Sequence, residues 1–266
     1  MTYLPLEIDT DPMESEAGEV FVRGSVGDRA YRFLLDTGAA ITRLVADDYI
    51  SSFAAVDHAL SSGVFAASSD ELITVPSIKM GPLSRTSVTV ARAPRGGRVT
   101  TSLIGMDVLR DVRLHFDFGR SRLGIDPLAE VAAGATFHDL SLDSRSHPYV
   151  TVGLGGATAA CVWDSGASLT VVDSEFLERH PQHFRAAGQS TGTDSTGSEI
   201  TTSMYVMSEA AIGGVPFPPS RVAAVDLSAV NAGIEWRMDV VLGYSTLRHA
   251  DWLLDFPSRR WALLKD

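Results

Sequence analysis

At 266 residues, with 45% hydrophobic and 21% charged positions, the chain has the make-up of a packed globular protein, with length for two lobes of about 130 residues each. A net charge of −11 argues against nucleic acid as a partner, and no apolar run approaches membrane-spanning length. The single cysteine, Cys161, rules out an internal disulfide and fits a reducing compartment; its apolar neighbours make it a packing residue.

In chain order, residues 1–20 hold Glu7, Asp9, Asp11, Glu14, Glu16 and Glu19 and no basic group, the reverse of a secretory leader. Together with the lone cysteine this points to a cytoplasmic location, and the stretch 7–19 reads as a solvated acidic tail, with a removable lid as the alternative. Phe21 to Gly27 reads as a strand entering a turn at Gly27-Asp28. The apolar run Phe33-Leu34-Leu35 then ends in Asp36-Thr37-Gly38-Ala39. Ala46–Phe53 has helical spacing. Ser61 to Gly63 and Ala66 to Asp70 form a small, polar tip. Leu72–Val75 and Ser87–Val90 are strand-like. Leu103-Ile104-Gly105 leads into a short helix over Met106–Val112, and Leu114–Phe118 is a further strand. Asp126-Pro127 to Gly134, rich in small residues, marks the boundary between lobes 1–128 and 129–266.

The second half repeats these landmarks. Tyr149 to Gly155 mirrors Phe21 to Gly27. Cys161-Val162-Trp163 ends in Asp164-Ser165-Gly166-Ala167, a second copy of the acidic turn. Asp173–His180 reads as a helix with Asp173 as N-cap and Pro181 as stop. Gly188 to Ser198 is a second Gly- and Ser-rich tip, followed by the strand-like Met204–Met207. Val241-Leu242-Gly243 leads into a helix over Ser245–His249, and Trp252–Phe256 closes the series. Upstream, Leu6-Glu7-Ile8-Asp9 matches Leu140-Ser141-Leu142-Asp143. The offset grows from 128 at the acidic turns to 138 at the Gly elements, so the second half carries ten more residues between them. Four landmarks in one order, twice, describe an internal duplication. A duplicated turn that ends an apolar strand with an aspartate delivers one carboxylate from each half to a junction.

Other chemistries are poorly served. The seven histidines show no metal-ligand spacing, so no metal is expected, and no cofactor either. No serine stands in a nucleophile elbow, and no Gly-rich loop has phosphate-binding spacing. Asp117 and Asp255 also repeat, each beside a phenylalanine in an apolar strand; they read as structural, paired with Arg122 and Arg260.

The two Asp-Thr/Ser-Gly-Ala turns and the two apolar-apolar-Gly elements resemble those of the aspartic peptidases, both pepsin-like and retroviral-type, over essentially the whole chain. Each half is more similar to a retroviral-type unit than to half of pepsin. The resemblance implies an all-β, bilobal acid-protease β-barrel fold with few short helices and internal pseudo-two-fold symmetry. It implies an endopeptidase acting on an extended peptide or unfolded protein as a monomer, with no nucleic acid or membrane partner. Asp36 and Asp164 would be the catalytic pair. Thr37 and Ser165 would hold the turns together, Gly38 and Gly166 would admit the backbone to the carboxylates, and Ala39 and Ala167 would complete the motifs. Ile104-Gly105 and Leu242-Gly243 would brace them from behind. Gly63 with Phe65, and Gly192 with Gly197, would belong to flaps over the cleft. Pepsin-like enzymes usually have a flap tyrosine, where the nearest aromatic here is Phe65. They often place a hydroxyl residue after the motif glycine; alanine offers no such donor to the charged carboxylate, which predicts a mildly acidic optimum. The alternative is a peptide-binding scaffold that kept the fold without the chemistry.

Overall fold

A computed structural model describes residues 3–12, 14–62, 67–97, 99–126, 132–193 and 199–264. The first half begins with β1 (Tyr3–Pro5), β2 (Glu7–Thr10), β3 (Gly18–Val26), β4 (Arg29–Leu35) and β5 (Arg43–Val45). It continues through β6 (Ala55–Ser62), β7 (Ala67–Met80), β8 (Leu83–Ala93), β9 (Leu103–Ile104), helix α1 (Met106–Leu109), β10 (Arg113–Asp117) and β11 (Arg122–Ile125). The second half opens with β12 (Phe137–Asp139), β13 (Ser141–Leu142), β14 (Pro148–Leu154), β15 (Ala157–Trp163), β16 (Thr170–Asp173) and helix α2 (Ser174–Arg179). Next come β17 (Phe184–Thr193), β18 (Glu199–Met207), β19 (Ala210–Ile212), β20 (Val215–Phe217), β21 (Ser220–Val225) and helix α3 (Ser228–Asn231). β22 (Val240–Leu242), helix α4 (Tyr244–Leu247), β23 (Asp251–Asp255) and β24 (Arg260–Leu264) complete the chain.

These strands make three sheets. One lobe is built on β2-β3-β4-β9-β5-β8-β7-β6, the other on β17-β18-β21-β16-β22-β15-β14-β19-β20 with β13 paired to β14. A third sheet, β1-β11-β10-β23-β24-β12, takes three strands from each half and joins the lobes. At its centre β10 and β23 run antiparallel, and His115 stands opposite Leu253, its own counterpart in the repeat. The pseudo-two-fold axis therefore passes between these two residues. The turns at the ends of this sheet repeat as well. Leu6 N–H donates to Ser121 O at 2.8 Å, as Leu140 N–H does to Arg259 O at 2.9 Å.

The motif strands are buried on both faces, which is why they read as unbroken apolar runs and not as alternating ones. On β4, Phe33 and Leu35 enter the main core while Leu34 packs with Phe21, Leu103 and Ala39 on the opposite face. On β15, Cys161 and Trp163 enter the main core while Val162 packs with Tyr149, Val225, Leu227, Met238 and Val241. The main core is continuous from lobe to lobe: Trp163 lies 4.8 Å from Phe116 and 5.7 Å from Trp252 between ring centroids. The Cys161 thiol is buried there and pushed well above its ordinary pKa by that burial. Each motif strand is fed by a turn whose glycine, Gly27 or Gly155, has φ near +50°, a conformation that favours glycine.

Strand register locates the ten additional residues of the second half. Arg43 and Val171 hold equivalent places after their motif aspartates; Ala91 on β8 lies beside the first and Ala223 on β21 beside the second. The span from Asp164 to Ala223 is longer than that from Asp36 to Ala91 by four, so four of the ten fall before this point. The other six fall between β21 and β22, in the stretch that forms α3 and carries Trp236.

Several sequence expectations are corrected. The acidic stretch 7–19 is not a solvated tail. β2 pairs with β3, Glu7 and Asp9 bind Arg32, Glu7 also binds Arg23, and Glu14 reaches Arg221 of the other lobe at 2.7 Å. Cationic partners distant in sequence neutralise it. The span 46–53 is helical only as a 3-10 turn over Ile50–Ser52, because Asp47 takes the Ile50 N–H at 2.7 Å and the chain then extends into β6. Asp173 occupies the N-cap position of α2 but caps nothing with its side chain, which instead binds Arg237 at 2.5 Å and the Leu227 N–H at 3.2 Å. α2 does end before Pro181, where a further 3-10 turn begins. The expected lobe boundary runs through residues 127–131, outside the described residues.

Candidate active site

Each motif aspartate is placed by the last backbone bond of a parallel strand pair. β4 runs beside β9 and β15 beside β22. Asp36 N–H then donates to Ile104 O, and Asp164 N–H to Leu242 O, both at 3.0 Å. The two turns meet across the axis. Thr37 Oγ1 donates to Trp163 O and Ser165 Oγ donates to Leu35 O, each at 2.8 Å. In return Ser165 N–H donates to Thr37 Oγ1 at 3.1 Å and Thr37 N–H to Ser165 Oγ at 3.3 Å. Both hydroxyl side chains are fully buried, so the four bonds are exchanged away from water, where an unpaired partner is costly.

This clasp brings the carboxyls together. Each carboxyl lies against the motif glycine of the opposite turn, so the two face one another across the axis. Asp164 Oδ1 also accepts Gly166 N–H at 2.8 Å and Gly38 N–H at 3.2 Å. A Cβ on Gly38 would stand 2.5 Å from Asp164 Cγ, and one on Gly166 would stand 2.6 Å from Asp36 Oδ1. Only glycine leaves room for the opposite acid.

Gly105 and Gly243 lie behind the turns in the same way. A Cβ on Gly105 would meet Ala39 O at 2.7 Å; one on Gly243 would meet Ala167 O at 2.7 Å. The helices that follow them donate to those same carbonyls, Met106 N–H to Ala39 O and Tyr244 N–H to Ala167 O, both at 2.8 Å. A brace absent from the sequence expectations completes each turn. Thr42 Oγ1 accepts Gly105 N–H at 3.0 Å, and Thr170 Oγ1 accepts Gly243 N–H at 3.1 Å. Both threonines hold the same place after their aspartates, so the repeat itself carried the signal.

Electrostatically the site is asymmetric. Burial first, then the negative charge of Asp164, push Asp36 well above the usual carboxylate range; Arg43 and the N–H groups of Ala39 and Gly38 pull it back. Asp164 is also raised, chiefly by burial, and is pulled back by Gly166 and Gly38 N–H, by His147 and by its bond to Asp36. Asp36 is only 6% exposed, whereas Asp164 is half-buried. His147 is held by Asp143 at 2.7 Å just before β14. Neither Arg43 nor His147 was legible as a site neighbour, because neither belongs to the repeat.

Of the flap candidates, Gly63, Phe65 and Gly197 lie outside the described residues. Gly192 is exposed on β17, opposite Ile200, with no atom within 4 Å of where a Cβ would stand. Among the described residues, His115, Asp117 and Asp251 bring potential metal-ligand atoms within 4.8 Å of one another. Asp117 is committed there to Arg122 at 2.6 Å and to the Arg120 N–H at 3.0 Å. Asp255 repeats the arrangement with Arg260 at 3.0 Å. Among the described residues no helix is long and apolar enough to cross a membrane.

Two half-barrel lobes, a shared six-stranded sheet and one Asp-Thr/Ser-Gly turn from each lobe define the bilobal fold of the aspartic proteinases. Among solved structures, the aspartic proteinase from Irpex lacteus superposes with a TM-score of 0.60 at 14% identity, over 99% of this chain and 97% of that one. The aspartyl protease family profile matches residues 22–108 and again 150–246, one match per half and together well over half of the sequence. The chain belongs to the aspartyl protease family. No curated protein matches it.

Proposed function

We propose that the protein is an aspartic endopeptidase that hydrolyses peptide bonds with a water activated between Asp36 and Asp164. The observation that carries this reading is that each carboxyl lies against the motif glycine of the opposite turn, so that the two acids face one another across the axis. Two carboxyls so placed cannot both ionise cheaply and share one proton, the established property of aspartic proteases. Asp164, the more exposed of the two, is the better-solvated anion and the general base. Asp36, more deeply buried, holds the proton, polarises the scissile carbonyl and later protonates the leaving amine. The proton belongs to the pair, so the roles exchange during turnover.

The substrate is an extended peptide or unfolded segment lying between the lobes and pairing with the edges of the hairpins β6–β7 and β17–β18, which serve as flaps. The enzyme works as a monomer in the cytoplasm, each lobe supplying one aspartate. Wild-type protein should cleave an unfolded protein or peptide library with a mildly acidic optimum, since both carboxyls are raised. Asp36→Asn should lose roughly 10³-fold or more in kcat. A well-folded wild type that is inert at every pH, or that binds peptide as tightly as Asp164→Asn without turnover, overturns the reading.

A further inference from the structure

The cleft-facing side of the two lobes differs at one buried position. Leu34, Leu103 and Arg43 lie in register across β4, β9 and β5. Leu34 and Leu103 face away from the main core, as does Arg43, because the adjacent Leu44 enters that core. Asp36 stands two residues past Leu34, directly after β4 ends, where the strand's alternation assigns it to this same side. Arg43 is 5% exposed, and its Nη1 lies 3.7 Å from Oδ2 of Asp70, itself 5% exposed, on the hairpin strand β7. The pair is loose: Arg43 Nε and Nη1 and Asp70 Oδ2 have no hydrogen-bond partner. In the second lobe the position of Arg43 is held by Val171 and that of Asp70 by Thr202, by the register of β7 with β8 and of β18 with β21.

A buried ion pair is no better for the fold than the uncharged pair the second lobe uses, since desolvation cancels much of its attraction. Its charge must therefore act on something else nearby. We infer that Arg43 is a positioning residue that stabilises the anion of the Asp36–Asp164 pair from one side, and that Asp70 on the hairpin meters that charge. The inference rests on the proposed peptidase reading and adds the group that sets its working pH. Arg43 lowers the proton affinity of Asp36, in accord with the geometry. Among the described residues, the charged and titratable groups around the dyad include Arg43 from β5, Asp70 from β7, His147 with Asp143 from the segment before β14, and Asp107 from α1, which is bound to Thr42 behind the Asp36 turn. Because Asp70 rides on the hairpin, any shift of β7 away from β5 unmasks Arg43 and lowers the proton affinity of the dyad further.

The test follows the Asp36 and Asp164 carboxyl carbons of 13C-labelled protein by NMR against pH, alongside the pH profile of kcat/KM. Arg43→Val should move both titration steps to higher pH and lower kcat/KM on the acid limb at least threefold. Asp70→Asn should move them to lower pH and raise kcat/KM at that same point. Arg43→Lys should restore most of the wild-type profile. The double variant Arg43→Val/Asp70→Thr, which copies the second lobe, keeps a neutral site should Arg43→Val alone fail to fold, and should also titrate above wild type. Opposite shifts from the two partners establish the assignment, because a purely structural pair would lower the melting temperature in both variants and move neither step. Shifts of the same sign, or none, overturn it. The NMR titration needs no turnover, so this outcome is separate from failure of the peptidase reading, which shows as an inert wild type.

Discussion

The two motif turns are near copies where they touch and diverge where they do not. At the axis, Thr37 and Ser165 exchange equivalent bonds, each glycine faces the opposite carboxylate, and each Ile/Leu-Gly element braces the turn from behind. One step outward the likeness ends. Arg43 corresponds to Val171, Asp107 takes the Thr42 N–H where Ser245 takes that of Thr170, and the first lobe's small cluster of Phe21, Leu34 and Leu103 corresponds to a larger one roofed by the stretch carrying α3. A group on a two-fold axis must complement its own counterpart, so a change on one side disrupts both. Groups off the axis are free of that demand, and there the two lobes took different electrostatics.

The sharpest way to break the comparison is at the glycines. Gly38→Ala and Gly166→Ala should each destabilise the protein by about 3 kcal/mol or more and abolish activity, because the added methyl overlaps the opposing carboxylate. Thermal unfolding with a peptide assay checks this, and two losses of similar size would confirm that the axis is symmetric. The clasp should give smaller and again matched effects. Thr37→Val leaves the Trp163 carbonyl unpaired and Ser165→Ala leaves that of Leu35, at about 1–3 kcal/mol each by denaturant unfolding.

The smallest effect separates the two sides. Both aspartates titrate above their unfolded value, so their folded protonated forms add stability that is complete below the ordinary aspartate range of about 4 and is lost as pH rises through the folded values. Replacing either with asparagine removes that loss. Asp36→Asn should therefore melt above wild type at neutral pH and match it at strongly acidic pH, and should gain more than Asp164→Asn, because Asp36 is the less exposed of the two. Melting curves at several pH values decide it; equal gains would mean that burial does not distinguish the two acids.

The repeat made much of this visible in advance. The acidic turns, the braces and the strand runs were legible because they occur twice, and because strands buried on both faces leave continuous apolar text. Thr42 and Thr170 were equally repeated, but a single threonine carries no sign of the distant glycine N–H that its hydroxyl will accept. The acidic stretch 7–19 was misjudged because its cations, Arg23, Arg32 and Arg221, come later in the chain, the last of them in the other lobe. Asp173 was misjudged for the same reason, its carboxylate being drawn to Arg237 and away from the helix it begins. The flap tips at Gly63, Phe65 and Gly197 stand outside the described residues.

Local order and duplication, then, were determined by the sequence alone: which runs become strands, where the acidic turns end them, and that each unit has a partner. Only the tertiary structure decided which side of the dyad carries an additional charge. Arg43 and Asp70 stand on different strands, well separated in the chain, and have no charged counterpart in the other lobe. Periodicity in a sequence records what a residue does to its neighbours and to its own repeat, whereas an electrostatic field is set by distance in space, and folding alone fixes that.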